Sequence, residues 1–492
     1  MSHQATTEAP GSQVSPRRWL VLGIVLAAAF MILLDATIVN VALPTMQRGL
    51  HTSDADVQWV GAGYALTYGL ILIPAGRFGD RIGHRHVLLF GIAAFTVSSA
   101  LCGAATSGTS LVAWRLVQGA AAGVLNAPII ALIQSVFPPR ELGRAFSAYG
   151  VIAGLATAIG PLAGGLLIDG NLVGLSWRPI FLINIPIGLI VLALAVRFVP
   201  QARGRAGGVD PVGMLIVALG LSLIIVPLVA GGETSWPAWK FVALGLAVPV
   251  LAGFALWERA RVRANAVPLV DVRLFARLPF TAGVLIATVH FAAFVGLAFT
   301  FSLYLQLGLK YSALASGLVL TAFAAGTMVG GAVSDPLAAN TGRTVLHIGT
   351  GLLGIGIAGI WTAIALDGGQ PIGWVLPGLL VAGVGNGVVI GPITSVVLDR
   401  VGGADAGAVS ATLTATERIG QALGTAVLGT VLFNQLGSAL RTGTRLVSAY
   451  DSAIGTALLG ALCCTALAFL LVFALPRNPI RSTWDGQSGG QA

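Results

Sequence analysis

The sequence predicts an all-α polytopic membrane protein with about fourteen spanning helices. Composition, the recurrence of apolar blocks and the sidedness of arginine carry that prediction. Of 492 residues, 56% are hydrophobic and only 9% are charged. A soluble domain carries roughly 25% charged residues, so this chain lacks the polar surface to live in water. Its 66 glycines point the same way, because small residues let helices approach closely in lipid. A net charge of +9 raises nucleic acid as a partner. The basic residues, however, sit in short clusters between apolar blocks, the pattern of membrane loops, and no nucleic-acid partner is expected. Cys102, Cys463 and Cys464 lie in apolar stretches with neither disulfide nor zinc spacing.

A helix needs about 20 mostly apolar residues to cross a bilayer, because every backbone polar group must be satisfied within the segment. Blocks of that length lie near 19–43, 57–76, 87–106, 111–133, 145–168 and 179–199. Two more follow near 210–231 and 239–257, then six near 279–308, 312–334, 344–366, 372–396, 405–433 and 452–475. The expected organisation is a six-helix bundle over 17–205, two inserted helices over 206–263, and a second six-helix bundle over 264–476. Residues 1–16 and 477–492 are polar and expected to be disordered tails. The Ser15–Leu20 run, SPRRWL, reads as a basic flank on an uncleaved first helix.

With the N-terminus placed in the cytoplasm, nineteen of the 27 basic residues fall on the cytoplasmic side. Six fall opposite: Arg48, Arg178, Lys240, Lys310, Arg441 and Arg445, while Arg115 and Arg418 lie inside helices. A miscounted helix would mix the two sets from that point onward, so the split supports both number and orientation. An internal repeat agrees. Gly76 to Asp80 follows the second helix and Gly331 to Asp335 follows the tenth, each with Gly four residues before Asp. Corresponding loops eight helices apart fit two six-helix repeats around a two-helix insertion.

No enzyme or cofactor motif survives its context. Gly354 to Gly359 matches GxGxxG but lies inside an apolar helix, and His51 with Asp56 occupies a short loop with no pocket. Neither Lys240 nor Lys310 follows a glycine, so no Walker phosphate loop is present and an ion gradient is the expected power source. Intramembrane charge is more informative, since each such group costs about 2.5–3.5 kcal/mol at a helix centre on insertion scales. Three helices keep it: Asp35 in the first, Arg115 near the start of the fourth, and Glu417-Arg418 in the thirteenth. Arg115 lies close enough to its helix end to snorkel outward. Glu417 and Arg418 are neighbours about 100° apart on a helix, so one must find a partner elsewhere or face water. His290 and His347 read as packed polar residues.

Five ordered segments resemble motifs of the fourteen-helix drug:proton antiporters of the major facilitator superfamily. Leu33–Pro44, LLDATIVNVALP, is similar to the family's first-helix signature and contains Asp35 and Asn40. Gly76–His86, GRFGDRIGHRH, resembles the loop motif, with Gly76, Asp80, Arg81, Gly83 and Arg85. Arg115, Gln118 and Gly119 match the fourth-helix motif. Gly150, Gly154, Gly160, Pro161, Gly164 and Gly165 match the antiporter motif of the fifth, and Trp177–Gly188 matches the run entering the sixth. There are departures: Pro179 stands where a tryptophan is usual, Pro336 where a basic residue is common, and Ala156 where a glycine is. The thirteenth-helix motif reads Thr414-Ala-Thr-Glu417-Arg418-Ile-Gly420, with its charge order shifted.

The resemblance implies two bundles rocking around a central cavity, exchanging amphipathic or cationic small molecules for protons. It implies no metal and no cofactor, a monomer in the lipid bilayer of the cytoplasmic membrane, and both termini in the cytoplasm. Asp35, Asn40, Glu417 and Arg418 are the expected proton-coupling and substrate set. Asp35 is the first choice of proton carrier, because a carboxylate in low dielectric readily takes up a proton. Asp35→Asn is then expected to fold but not to cycle. An importer on the same fold and a membrane protein without transport activity are the alternatives.

Overall fold

The computed structural model describes residues 17–171, 174–201, 210–230, 237–264, 266, 268–270, 272–365, 372–398 and 406–475. Among them, fourteen helices are long and apolar enough to cross a membrane. The first six are α1 (Arg18–Leu50), α2 (Asp54–Ile82), α3 (His84–Gly103), α4 (Gly108–Val136), α5 (Pro139–Asp169) and α6 (Pro179–Phe198). The inserted pair is α7 (Pro211–Val229) and α8 (Ala238–Arg263). The last six are α9 (Leu278–Gly308), α10 (Ala313–Thr341), α11 (Thr344–Ala365), α12 (Leu376–Leu398), α13 (Ala406–Arg441) and α14 (Leu446–Val472). Below, the near face is the one from which α1 starts and the far face the one at which it ends. The tails expected over 1–16 and 477–492 lie outside the described residues.

Helix number agrees with the apolar blocks, but several helices outrun them. The apolar block of α1 stops at 43, yet the helix continues through Pro44 to Leu50. Pro44 is buried in packed helices, where its missing N–H leaves no donor to satisfy. The Gly76 to Asp80 motif, expected in a loop, is helical. No residue in it breaks the helix until Gly83, whose φ of 101° turns the chain into α3. Gly331 to Asp335 likewise lies inside α10, which ends only at Gly342 with φ 57°. Serines close the far-face starts of α2 and α4: Ser53 pairs with Asp56, and Ser107 with Ser110, in reciprocal caps.

Glycine governs contact within each bundle. A methyl on Gly119 of α4 would strike the Tyr64 carbonyl of α2, and one on Gly123 would meet the Tyr68 carbonyl at 2.7 Å. In the second bundle, methyls on Gly326 and Gly330 of α10 would strike the Leu380 and Val384 carbonyls of α12. These helices touch backbone to backbone, which supplies packing where lipid offers no hydrophobic drive.

Between the bundles, contact lies toward the far face. Ser302 Oγ donates to the Asn40 carbonyl at 2.7 Å and Gln306 Nε2 to the Val41 carbonyl at 2.8 Å, joining α9 to α1. Asp169 of α5 accepts from the Leu314 amide of α10 at 3.0 Å. The glycine ridge of α5 divides between two partners. Gly160 and Gly164 press on Thr37 and Ile38 of α1, while Pro161 and Gly165 meet Gly317 and Leu314 of α10. Nearer the near face the seam opens: a methyl on Gly154 would meet only Met328, at 3.4 Å, and one on Gly150 meets nothing within 4 Å.

The inserted pair covers the seam between α2 and α13, where Leu221, Ile225 and Val229 of α7 pack with Ala62, Ala65, Ala422 and Ala426. Its near-face end holds two fully buried carboxylates, Asp210 and Glu258. Asp210 caps α7 through the Gly213 amide at 3.0 Å, accepts from Trp257 Nε1 at 3.0 Å and pairs with Arg261 at 3.3 Å. Glu258 accepts from the Val270 amide at 3.3 Å, and Arg77 of α2 donates to the Pro268 and Leu269 carbonyls of the same linker. Asp210→Ala removes a cap and leaves buried donors unmatched, a loss of about 3 kcal/mol. It is expected to lower the apparent unfolding temperature of the purified protein by several degrees, and an unchanged melting curve would show the foot of the hairpin to be dispensable.

Candidate transport cavity

The first-bundle charges are drawn into a closed network. Arg115 is 1% exposed and does not snorkel. Its Nη1 donates to Asp35 Oδ2 at 2.7 Å and to Gln118 Oε1 at 2.7 Å, and its Nε donates to the Val60 carbonyl at 3.1 Å. The guanidinium also lies over the Tyr64 ring at 4.1 Å. Asp35 Oδ1 accepts from Gln118 Nε2 at 3.0 Å and from Asn184 Nδ2 at 3.3 Å. Ser99 accepts from Gln118 at 2.6 Å, so α1, α2, α3, α4 and α6 meet at one ion pair. Neither Asn184 nor Ser99 stood out in the sequence. Asn184 lay within the quoted Trp177–Gly188 run, and Ser99 carried no signal beyond its place in an apolar helix.

The cavity lies elsewhere. It has a volume of about 380 Å³ between the bundles and extends toward the near-face ends of α4, α5 and α12, where Asn126, Ile130, Tyr149 and Ile390 line it. From α1 it receives Leu33, Ala36, Thr37 and Asn40, one helical face that leaves Asp35 on another. Among the described residues, Glu417 and Arg418 are the only charged ones on its wall. Arg418 lies over the Tyr68 ring of α2 at 4.3 Å and donates from Nη1 to Gln421 Oε1 at 3.2 Å, and its Nε has no partner among the described residues. Glu417 makes no ion pair within 4.0 Å among those residues.

Polar amides and aromatic rings complete the wall. Asn40 and Asn126 come from the first bundle, Asn386 and Gln421 from the second. Phe294 of α9 and Phe323 of α10 stack with centroids 5.4 Å apart and planes 4° from parallel. Behind the wall, buried His290 meets Asn386 Oδ1 through Nε2 at 3.1 Å, and Asn386 Nδ2 donates to Thr327 Oγ1 at 3.3 Å. The direction of that chain requires the hydrogen on Nε2, so His290 orients a cavity amide.

The segment expected as a loop motif lies at the near-face end, across the end of α2 and the start of α3. Asp80 faces His84 at 3.3 Å, Arg85 donates to the Val196 carbonyl of α6 at 2.5 Å, and Arg81 is exposed. Arg77 reaches further along the chain, to the Pro268 and Leu269 carbonyls of the linker before α9.

Two helical bundles around a cavity that extends toward one face are the architecture of a membrane transporter. The chain belongs to the Major Facilitator Superfamily, whose family model matches residues 25–213 and 211–425. It is 37% identical over 433 residues to a probable actinorhodin transporter of Streptomyces coelicolor, covering 87% of this chain and 75% of the relative. It is 35% identical over 422 residues to a puromycin resistance protein of Streptomyces alboniger, covering 85% of this chain and 82% of the relative. In fold it resembles a crystal structure of a bacterial homologue of the human lysosomal transporter Spinster, inward-facing and occupied. The TM-score is 0.67 at 18% identity, over 93% of this chain and 97% of that one.

Removing one partner of a buried ion pair strands the other charge at a cost of about 3–5 kcal/mol. Asp35→Ala is therefore expected to lower the yield of folded protein sharply, and Asp35→Ala with Arg115→Leu to recover part of it. Expression and gel filtration of both variants provide the measurement, and a double variant no better than the single would show that the pair is not what holds these helices.

Proposed function

We propose that this chain is a proton-coupled exporter of small amphipathic organic molecules. It acts as a monomer in the cytoplasmic membrane, with both termini and the open mouth of the cavity on the cytoplasmic side. The carrying observation is Glu417: a carboxylate on the cavity wall without an ion-pair partner among the described residues. The names of the relatives, which are antibiotic transporters and resistance proteins, support export. The arginine bias toward the near face supports the orientation.

We assign the proton to Glu417 rather than to Asp35, the first choice from the sequence. Both Asp35 oxygens are held by Arg115, Gln118 and Asn184, and Asp35 is not among the residues that line the cavity. Glu417 shares its cavity with the substrate. Substrate entering from the cytoplasm favours the ionised carboxylate, and a proton arriving from outside weakens substrate binding. The bundles exchange access by rocking about the α5–α10 seam. The near-face loop closes the cytoplasmic side in the alternate state, with Asp80 released from His84.

In proteoliposomes, an imposed pH gradient is expected to drive a panel of fluorescent amphipathic dyes uphill. Glu417→Gln is expected to keep exchange of dye down its own gradient and to lose uphill movement. Full proton-driven transport by Glu417→Gln would return the role to another group. Asp80→Asn is expected to slow turnover severalfold with little change in dye affinity, since a latch acts on the conformational equilibrium. Equal turnover at equal expression would remove the latch.

A further inference from the structure

We propose that Asp210 and Glu258, at the near-face foot of the inserted hairpin, form a proton-binding site outside the cavity. One proton shared by the two carboxyls fastens the linker before α9 to the hairpin, and its loss at alkaline pH releases that linker. The site is separate from the cavity and does not depend on what the cavity carries.

Both side chains are fully buried. Asp210 is the cap of α7 and Glu258 lies near the end of α8, so they meet where the two ends of the hairpin come together. A methyl on Gly213 would lie 2.5 Å from Asp210 Oδ2 and 2.6 Å from Glu258 Oε1. The two oxygens therefore converge on a glycine that puts no side chain between them, and the carboxyls are in hydrogen-bond contact.

The donors around the pair do not account for that contact. Asp210 accepts from the Gly213 amide and from Trp257 Nε1, and pairs with Arg261. Glu258 Oε2 accepts from the Val270 amide. Glu258 Oε1 is buried and has no hydrogen-bond donor among the described residues. Ionised carboxylates only accept, so a bond between two of them requires a proton on one. Two negative charges facing each other away from water repel, and such a pair titrates as a unit that holds one proton in common. Arg261 of α8 offsets the charge that remains. From α2, Arg77 interacts electrostatically with both carboxyls, with Arg261 and with Asp80, and Asp80 in turn faces His84.

The proton bears on the linker because Glu258 holds it. Arg77 donates to the Pro268 and Leu269 carbonyls and Glu258 accepts from the next residue, Val270, so three successive residues are gripped from α2 and α8. Loss of the proton to near-face water puts a second negative charge in the buried site. Glu258 escapes that cost by turning toward water, which takes its oxygen away from the Val270 amide. A grip made by a bound proton is complete at low pH and is lost as pH rises through the titration of the pair.

The test is hydrogen exchange on the purified full chain in lipid nanodiscs, followed in the peptide that holds Leu269 and Val270. Wild type is compared with Glu258→Gln and Asp210→Asn at equal pH, which cancels intrinsic exchange. Each amide donates across the pair at every pH and leaves an oxygen for the existing donors. At about pH 6 the three proteins are expected to exchange alike, and at about pH 9 the wild-type linker about tenfold faster than either variant. Infrared difference spectra between the two pH values are expected to show, in wild type, a protonated-carboxyl band that both variants lack. A ratio of wild-type to variant exchange that does not change with pH would overturn the proposal, and so would the absence of any carboxyl band missing from both variants. The two substitutions place the amide on opposite sides of the pair, so failure of one to fold leaves the other to decide.

Discussion

The ion pair between Asp35 and Arg115 is the interaction on which the first bundle depends. Each charge alone would cost about 2.5–3.5 kcal/mol to place in the membrane. Together, with Gln118, Asn184 and the Val60 carbonyl completing their hydrogen bonds, they satisfy one another in a site closed to water. Five of the six helices contribute to that site or to its supporting shell. The arrangement has a second consequence: it removes from the cavity a charge that the sequence would have placed there. The charge of α1 is turned away from the cavity, and what α1 offers there in polar groups is Thr37 and Asn40.

The second bundle is held differently. The α10–α12 contact rests on glycines whose absent side chains let backbone meet backbone, and its one buried histidine serves a cavity amide instead of an ion pair. Close glycine contacts hold both bundles, and the first has in addition the Asp35–Arg115 pair at its centre. The inter-bundle contacts near the far face use side chains on backbone carbonyls, at Ser302 and Gln306, and one carboxylate on a backbone amide, at Asp169. They sit beside close glycine contacts between α5 and α10, at Gly165 and Gly317, of the same kind that hold helices together within each bundle.

The inserted pair is more than two extra spans. Its α7 lies over the α2–α13 seam, and its foot holds the linker that Arg77 of α2 also grips. An element absent from a plain twelve-helix arrangement thereby touches both bundles and the linker before α9.

Helix number, the class of fold and the identity of the rare charged residues were legible in the sequence, because each follows from a local property: length of an apolar run, glycine content, or a charge with no neighbour in lipid. Helix ends were less legible. Pro44 and the Gly76 to Asp80 motif read as boundaries, but neighbouring helices hold those turns and the chain stays helical past them. Which way each charge faces was decided only by tertiary structure. Asp35 and Asn40 sit five residues apart on α1 and look alike in a hydropathy profile. Rotation of the helix against α4 buries the first with Arg115 and turns the second to the cavity. For Glu417 and Arg418 the sequence established that two adjacent charges could not simply pair. That both would line one cavity, beside an aromatic wall built from α9 and α10, depends on how two separately packed bundles meet, and no stretch of sequence encodes that meeting by itself.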